Sequence, residues 1–120
     1  MAIIKVLVVD DAKADLINLE KIVADAGYKV ITALSGQQAI DMAKSEKPDL
    51  IFMDVNMKEV DGFQATRTLQ GDPTTKAIPV VFVTGKNQQA DQVWAKMLGA
   101  KGYIIKPYSN AQILDQLKAA

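Results

Sequence analysis

Hydrophobic and polar positions follow two periods along the chain, and the periods alternate. Residues 3–9 read Ile-Ile-Lys-Val-Leu-Val-Val, a nearly continuous apolar run expected of a strand covered on both faces. Leu16, Leu19, Ile22, Val23 and Ala26 then recur at helical spacing, and Gly27 stands where a left-handed residue ends the helix. Residues 30–33 form a second strand pattern. Ser35 and Gln38 have capping-box spacing ahead of a helix carrying Ala39, Ile40, Met42 and Ala43. Pro48 blocks continuation and leads into a third strand, Leu50–Met53. Residues 55–61 read as a loop, and a short helix is expected over residues 63–69. After the turn Gly71-Asp72-Pro73, Pro79 opens a fourth strand over residues 80–83. Asn87 is placed to cap a helix bearing Ala90, Val93, Trp94, Met97 and Leu98 on one side, a stripe that predicts core packing for Trp94. Gly99 ends it. Residues 103–105 are the last strand, and Ser109 with Gln112 repeats the capping-box spacing before Ile113, Leu114 and Leu117. Five strand–helix units predict a doubly wound α/β domain spanning residues 1–120, a five-stranded parallel sheet with helices on both faces.

The strand ends carry the chemistry. Asp10 and Asp11 close the first apolar run, Asp54 the third, Thr84 the fourth, and Lys106-Pro107 the fifth. In a parallel sheet the carboxyl ends of the strands line one crevice, so these groups should converge. Each has an ordinary explanation when taken singly: a turn former, a loop hydroxyl, a solvated lysine, a strand terminator. Their joint placement at the ends of different strands is what points to a site. A carboxylate such as Asp54 can attack phosphorus and form an acyl phosphate. Asp10 or Asp11 can offer oxygens to Mg²⁺, Asn56 its backbone carbonyl, Thr84 a hydroxyl and Lys106 a point charge. Three close carboxylates repel one another unless a cation or proton is present.

Composition narrows the options. With no cysteine and no histidine, thiolate and imidazole metal ligands are excluded, leaving oxygen donors and hence Mg²⁺, Mn²⁺ or Ca²⁺. The absence of cysteine fits a reducing compartment. Fourteen basic residues balance 14 acidic ones, so no positive field argues for nucleic acid or an anionic membrane. No stretch approaches the roughly 20 apolar residues of a membrane span, and the first residues lack signal-peptide character. A cytoplasmic location is the expectation.

Val8-Val9-Asp10-Asp11, Met53-Asp54-Val55-Asn56-Met57, Asp61-Gly62, Val83-Thr84-Gly85 and Lys106-Pro107 together resemble the signature of the bacterial two-component response-regulator receiver domain, CheY-like and stand-alone. The resemblance runs from the first strand to the last helix. It implies the strand order 2-1-3-4-5, phosphorylation of Asp54, and Mg²⁺ held by Asp10, Asp11 and Asp54 with the Asn56 carbonyl. It further implies a Lys106 contact to phosphate, a Thr84–Tyr103 switch pair and a cis Lys106–Pro107 peptide. By the same resemblance the chain is a phosphorylation-controlled switch, an enzyme only toward its own aspartyl phosphate. Its phosphoryl donor would be a histidine kinase or histidine phosphotransfer domain. The surface from Gln88 to Ala119 would meet a downstream target protein, the chain itself being a monomer or weak dimer. With no residues after Ala120, the output is expected to lie in another protein. Val93-Trp94-Ala95-Lys96 and Leu98-Gly99-Ala100 are similar to regulators of type IV pilus twitching motility.

Two positions depart from the family pattern. Lys58 stands where a proline is usual, and Lys86, two past Thr84, is expected to overhang the site, where it would screen phosphate or hinder attacking water. The rivals are weaker. A receiver-like module that is never phosphorylated would lack part of the acidic set. A haloacid-dehalogenase-type phosphatase wants Asp at position 56, which is Asn. No G-x-x-x-x-G-K-[ST] loop is present for a nucleotide, and none follows Val9 for a flavin phosphate.

Overall fold

A computed structural model describes residues 3–86 and 88–119. The elements run β1 (Lys5–Val9), α1 (Lys13–Asp25), β2 (Lys29–Ala33), α2 (Gly36–Glu46), β3 (Leu50–Met53), α3 (Gly62–Gln70), β4 (Val80–Thr84), α4 (Gln89–Met97), β5 (Gly102–Ile105) and α5 (Asn110–Lys118). All strand pairs are parallel and the sheet order is β2-β1-β3-β4-β5, as the family resemblance implied. Because every strand runs in the same direction, every strand ends at one rim.

Strand periodicity explains why both faces are apolar. Leu7, Val9, Ile51, Met53 and Phe82 point to one side, where Ala39, Ile40 and Ala43 of α2, Ala65 and Leu69 of α3 and Ala95 of α4 cover them. Their neighbours Val6, Val8, Leu50, Phe52, Val81 and Val83 point to the other, under Leu16, Leu19 and Val23 of α1 and Ile113 and Leu117 of α5. A one-residue register slip would exchange the two sets, so the pairing is tightly specified.

Local chemistry fixes the ends. β1 is shorter than its apolar run: Ile4 is exposed, and the N–H groups of Ile4 and Lys5 donate to the Asp49 carboxylate at 3.0 and 2.9 Å. Gly27 and Gly99 have φ of +98° and +80°, which a side chain would resist. The box expected at Ser35 is displaced by one residue. Ser35 Oγ accepts from Gln38 N, but the Gln38 amide oxygen accepts from Leu34 N instead of closing on Ser35. The Ser109–Gln112 box closes on both sides. A further box that the sequence pattern did not single out joins Asp61 and Gln64 at the start of α3. Asn87 lies outside the described residues; the cap position of α4 is Gln88, whose side chain makes no capping bond.

The helix α4 corrects the expectation for Trp94. Of its residues only Ala95 is buried, whereas Val93, Trp94 and Met97 are exposed. The apolar stripe is real but faces outward, because the small Ala95 takes the position packed into the core. Trp94 instead packs under the guanidinium of Arg67 from α3, 5.4 Å from the ring centre.

Candidate functional site

The parallel ladders do not stop at the strand ends. Asp10 N donates to Ala33 O at 3.2 Å, Asp54 N to Val9 O at 3.0 Å, and Lys106 N to Thr84 O at 2.9 Å. One more hydrogen bond on each of three strands thus carries the functional side chains to the rim while holding their backbones in register. The loop after Asp54 is fastened as closely. A Cβ on Gly62 would sit 2.2 Å from Asp54 O, so only glycine lets α3 start against that carbonyl, and Thr66 Oγ1 donates to Gly62 O at 2.8 Å.

Asp10, Asp11 and Asp54 each offer a carboxylate oxygen, and those oxygens lie within 4.8 Å of one another. Asp10 and Asp54 are buried and Asp11 is exposed, so the cluster opens to solvent on one side. The Lys106 ammonium reaches in from the β5 end, 2.7 Å from Asp10 Oδ2, 3.0 Å from Asp15 Oδ2 and 3.5 Å from Asp54 Oδ2. Asp10 Oδ1 also accepts from Ala12 N at 2.9 Å and Asp54 Oδ1 from Asn56 N at 3.3 Å. The Lys106–Pro107 peptide is cis.

The electrostatics follow from this packing. Burial, and then the neighbouring Asp10 charge, raise the Asp54 carboxyl above the usual aspartate range; Lys106, the Thr84 hydroxyl and the Asn56 N–H pull it back only in part. Burial disfavours the charged form of Lys106. The bonds from Asp10 and Asp15 and the charges of Asp54 and Asp10 more than offset this and hold the ammonium well above the ordinary lysine range. Lys106 is a permanent cation at physiological pH.

Thr84 is fully buried at the end of β4, and Tyr103 is half-buried on β5 beside Phe82. Both bind the backbone of one residue. Lys86 N donates to Thr84 Oγ1 at 3.3 Å, and Tyr103 Oη donates to Lys86 O at 2.8 Å. Burial and the Asp91 and Asp54 charges push the Tyr103 phenol up to about 12. The Lys86 side chain does not cover the carboxylates as its position in sequence suggested. Its ammonium turns to Asp91 on α4, 3.9 Å away, because that acid lies in the first turn of the helix it faces. Lys58 is exposed and shares an open recess with Asp11 and Glu59.

The residue that sequence reasoning missed is Asp15. It follows no apolar run; its signal is only its place in the first turn of α1, five residues past Asp10.

Arranged this way, the rim offers a partly desolvated carboxylate, two acidic neighbours suited to a hard cation and a permanent positive charge. Among the described residues, no helix is long and apolar enough to cross a membrane. The chain matches the family of the response regulator receiver domain over residues 6–118. It is 39% identical to protein PilH of Pseudomonas aeruginosa over 96% of this chain and 95% of that one. Among solved structures, the chemotaxis protein CheY4 of Vibrio cholerae superposes with a TM-score of 0.90 at 30% identity, covering 98% of each chain. The receiver domain of the sensor histidine kinase PA1611 from Pseudomonas aeruginosa, solved with a magnesium ion coordinated in its active-site cleft, gives 0.88 at 25% identity over 99% of this chain and 97% of that one.

Proposed function

The chain belongs to the response regulator receiver domain family, and from that premise we propose that Asp54 is its phosphoryl acceptor. Membership makes the protein a component of phosphorylation-controlled two-component signalling, a switch rather than a classical enzyme. In the proposed reaction a carboxylate oxygen of Asp54 attacks the phosphorus of a phosphohistidine on a histidine kinase or histidine phosphotransfer domain. The P–N bond breaks, the imidazole leaves with the electron pair and takes up a proton, and an aspartyl phosphate forms. Water later cleaves the acyl phosphate, releasing inorganic phosphate and restoring the carboxylate.

The observation that carries this reading is the meeting of three carboxylates within 4.8 Å, with the Lys106 ammonium 3.5 Å from the one at the end of β3. Oxygen-only donors suit a hard divalent ion, so Asp10, Asp11 and Asp54 with the Asn56 carbonyl would hold Mg²⁺, which neutralises phosphoryl oxygen charge when bound. Lys106 supplies a second positive charge already present at the rim before reaction. A phosphoryl oxygen would draw the Thr84 hydroxyl from Lys86 N. Through the shared Lys86 backbone this loosens the Tyr103 bond and changes the surface from Gln88 to Ala119, where a target protein binds. The protein would work as a monomer or weak dimer. The likeness of its α4 segment to pilus regulators favours a motility output.

The test is intact mass after treatment with acetyl phosphate and Mg²⁺. Wild type should gain one phosphoryl group and Asp54→Ala none. An adduct that persists in Asp54→Ala would move the acceptor elsewhere.

A further inference from the structure

Lysine ammonium has three donors, and in Lys106 all three are taken by carboxylates. The two short bonds, 2.7 Å to Asp10 and 3.0 Å to Asp15, lie on the β1–α1 side of the rim; the longest, 3.5 Å, goes to Asp54. Asp15 stands apart from its two companions. It is not among the carboxylates placed to share an ion, and it sits in the first turn of α1, where the helix dipole favours a negative charge. When Asp10 and Asp54 turn to a cation and a phosphoryl group, Asp15 is the one partner of Lys106 with no other duty.

We infer that Asp15 is a positioning residue that competes with the group carried by Asp54 for the Lys106 ammonium, and so sets how tightly the phosphorylated state is held. The inference rests on the assignment of Asp54 as acceptor. Lys106 divides its time between two anions. Toward Asp15 it leans over an open recess lined by Asp15, Asn18, Pro107 and Tyr108, which gives the chain room to swing. Toward Asp54 it contacts the phosphoryl oxygens. The Asp15 side chain is half exposed, which keeps the competing pair weak enough to break. A buried acid there would trap the lysine; no acid would leave it permanently on the acceptor.

Beryllofluoride, a stable mimic of the aspartyl phosphate, tests this by titration into the Mg²⁺-loaded protein with binding read from amide NMR. Asp15→Asn should bind about two- to fivefold more tightly than wild type, the range for a part-exposed ion pair. Asp15→Glu should return to the wild-type value. Glu59→Gln removes a negative charge that lines the same recess as Asp11 but does not touch Lys106, and it should match wild type. Unchanged or weaker binding by Asp15→Asn would overturn the inference. So would an equal gain in Glu59→Gln, which would mean that only the local field had changed. Should wild type itself fail to bind beryllofluoride, the acceptor assignment falls too; should wild type bind and Asp15→Asn merely match it, only the role of Asp15 falls.

Discussion

The carboxylate rim and the outer face of α4 use similar residue types to opposite ends. At the rim, charged groups are buried: Asp10 and Asp54 are 4% and 6% exposed, and each is tied by a backbone N–H and by Lys106. On α4, apolar groups are exposed: Val93, Trp94 and Met97 are 51%, 39% and 73% accessible. Burying charge is costly and is tolerated only when every polar atom is partnered. Exposing a few apolar side chains costs little structurally. The backbone under the rim therefore has one geometry and α4 has latitude. Rigidity under the carboxylates and latitude on α4 thus coexist in one domain.

The sharpest way to break this contrast is to disturb the backbone under the rim. Gly62→Ala would put a methyl group 2.2 Å from Asp54 O, a clash that only movement of β3 or α3 relieves. We expect a loss of about 3 kcal/mol or more in denaturant unfolding, at the upper end for overpacking. Gly85→Ala, whose Cβ meets nothing within 4 Å, should cost far less. Equal losses would mean that the backbone under Asp54 yields as easily as the open turn after β4.

The second test concerns charge. The folded-state titration of Asp54 is raised by burial and by Asp10, so its contribution to stability is full below the ordinary aspartate value and is lost as pH rises through the folded value. At neutral pH without Mg²⁺ the ionised group opposes folding. Asp54→Asn should therefore melt higher than wild type at pH 7, and the gap should close as the pH falls below about 4, where aspartate is protonated even in the unfolded chain. Adding Mg²⁺ should narrow the gap from the other side by binding native wild type. A lower melting point for Asp54→Asn at pH 7 would show that the Lys106 pair outweighs burial.

The same contrast explains what could be read from sequence. The two-faced parallel sheet and the convergence of Asp10, Asp11, Asp54, Thr84 and Lys106 were legible, because a buried parallel strand is a bare apolar run and its end is marked by the first polar residue; strand order was not, and came only through the family resemblance. Asp15 was not legible: its role depends on the reach of Lys106 across 91 residues of chain, which no local pattern encodes. Trp94 was misread for a physical reason. Helical periodicity locates an apolar stripe but not what the stripe faces, and on α4 the small Ala95 takes the inward position. The Lys86 side chain likewise depends on where α4 begins, and so on Asp91.

The smallest effect is expected at Trp94 itself. Its ring is partly covered by the Arg67 guanidinium, and Gln70 of α3 donates to the carbonyl of Leu98 at the end of α4, so these two contacts tie α3 to α4 beyond the buried Ala95. An exposed cation–π pair is worth about 0.5–1 kcal/mol, and Trp94→Ala removes it without opening an internal cavity. The expected loss is under about 1 kcal/mol, well below the roughly 2–5 kcal/mol expected for truncating the buried Leu19 to alanine. Arg67→Ala should cost about as much as Trp94→Ala, and the double variant little more than either, since the two side chains share one interaction. Unfolding in urea measures all four. A loss of 2 kcal/mol or more for Trp94→Ala would place the ring in the core after all. It would also remove the distinction between a fixed rim and a loosely held α4.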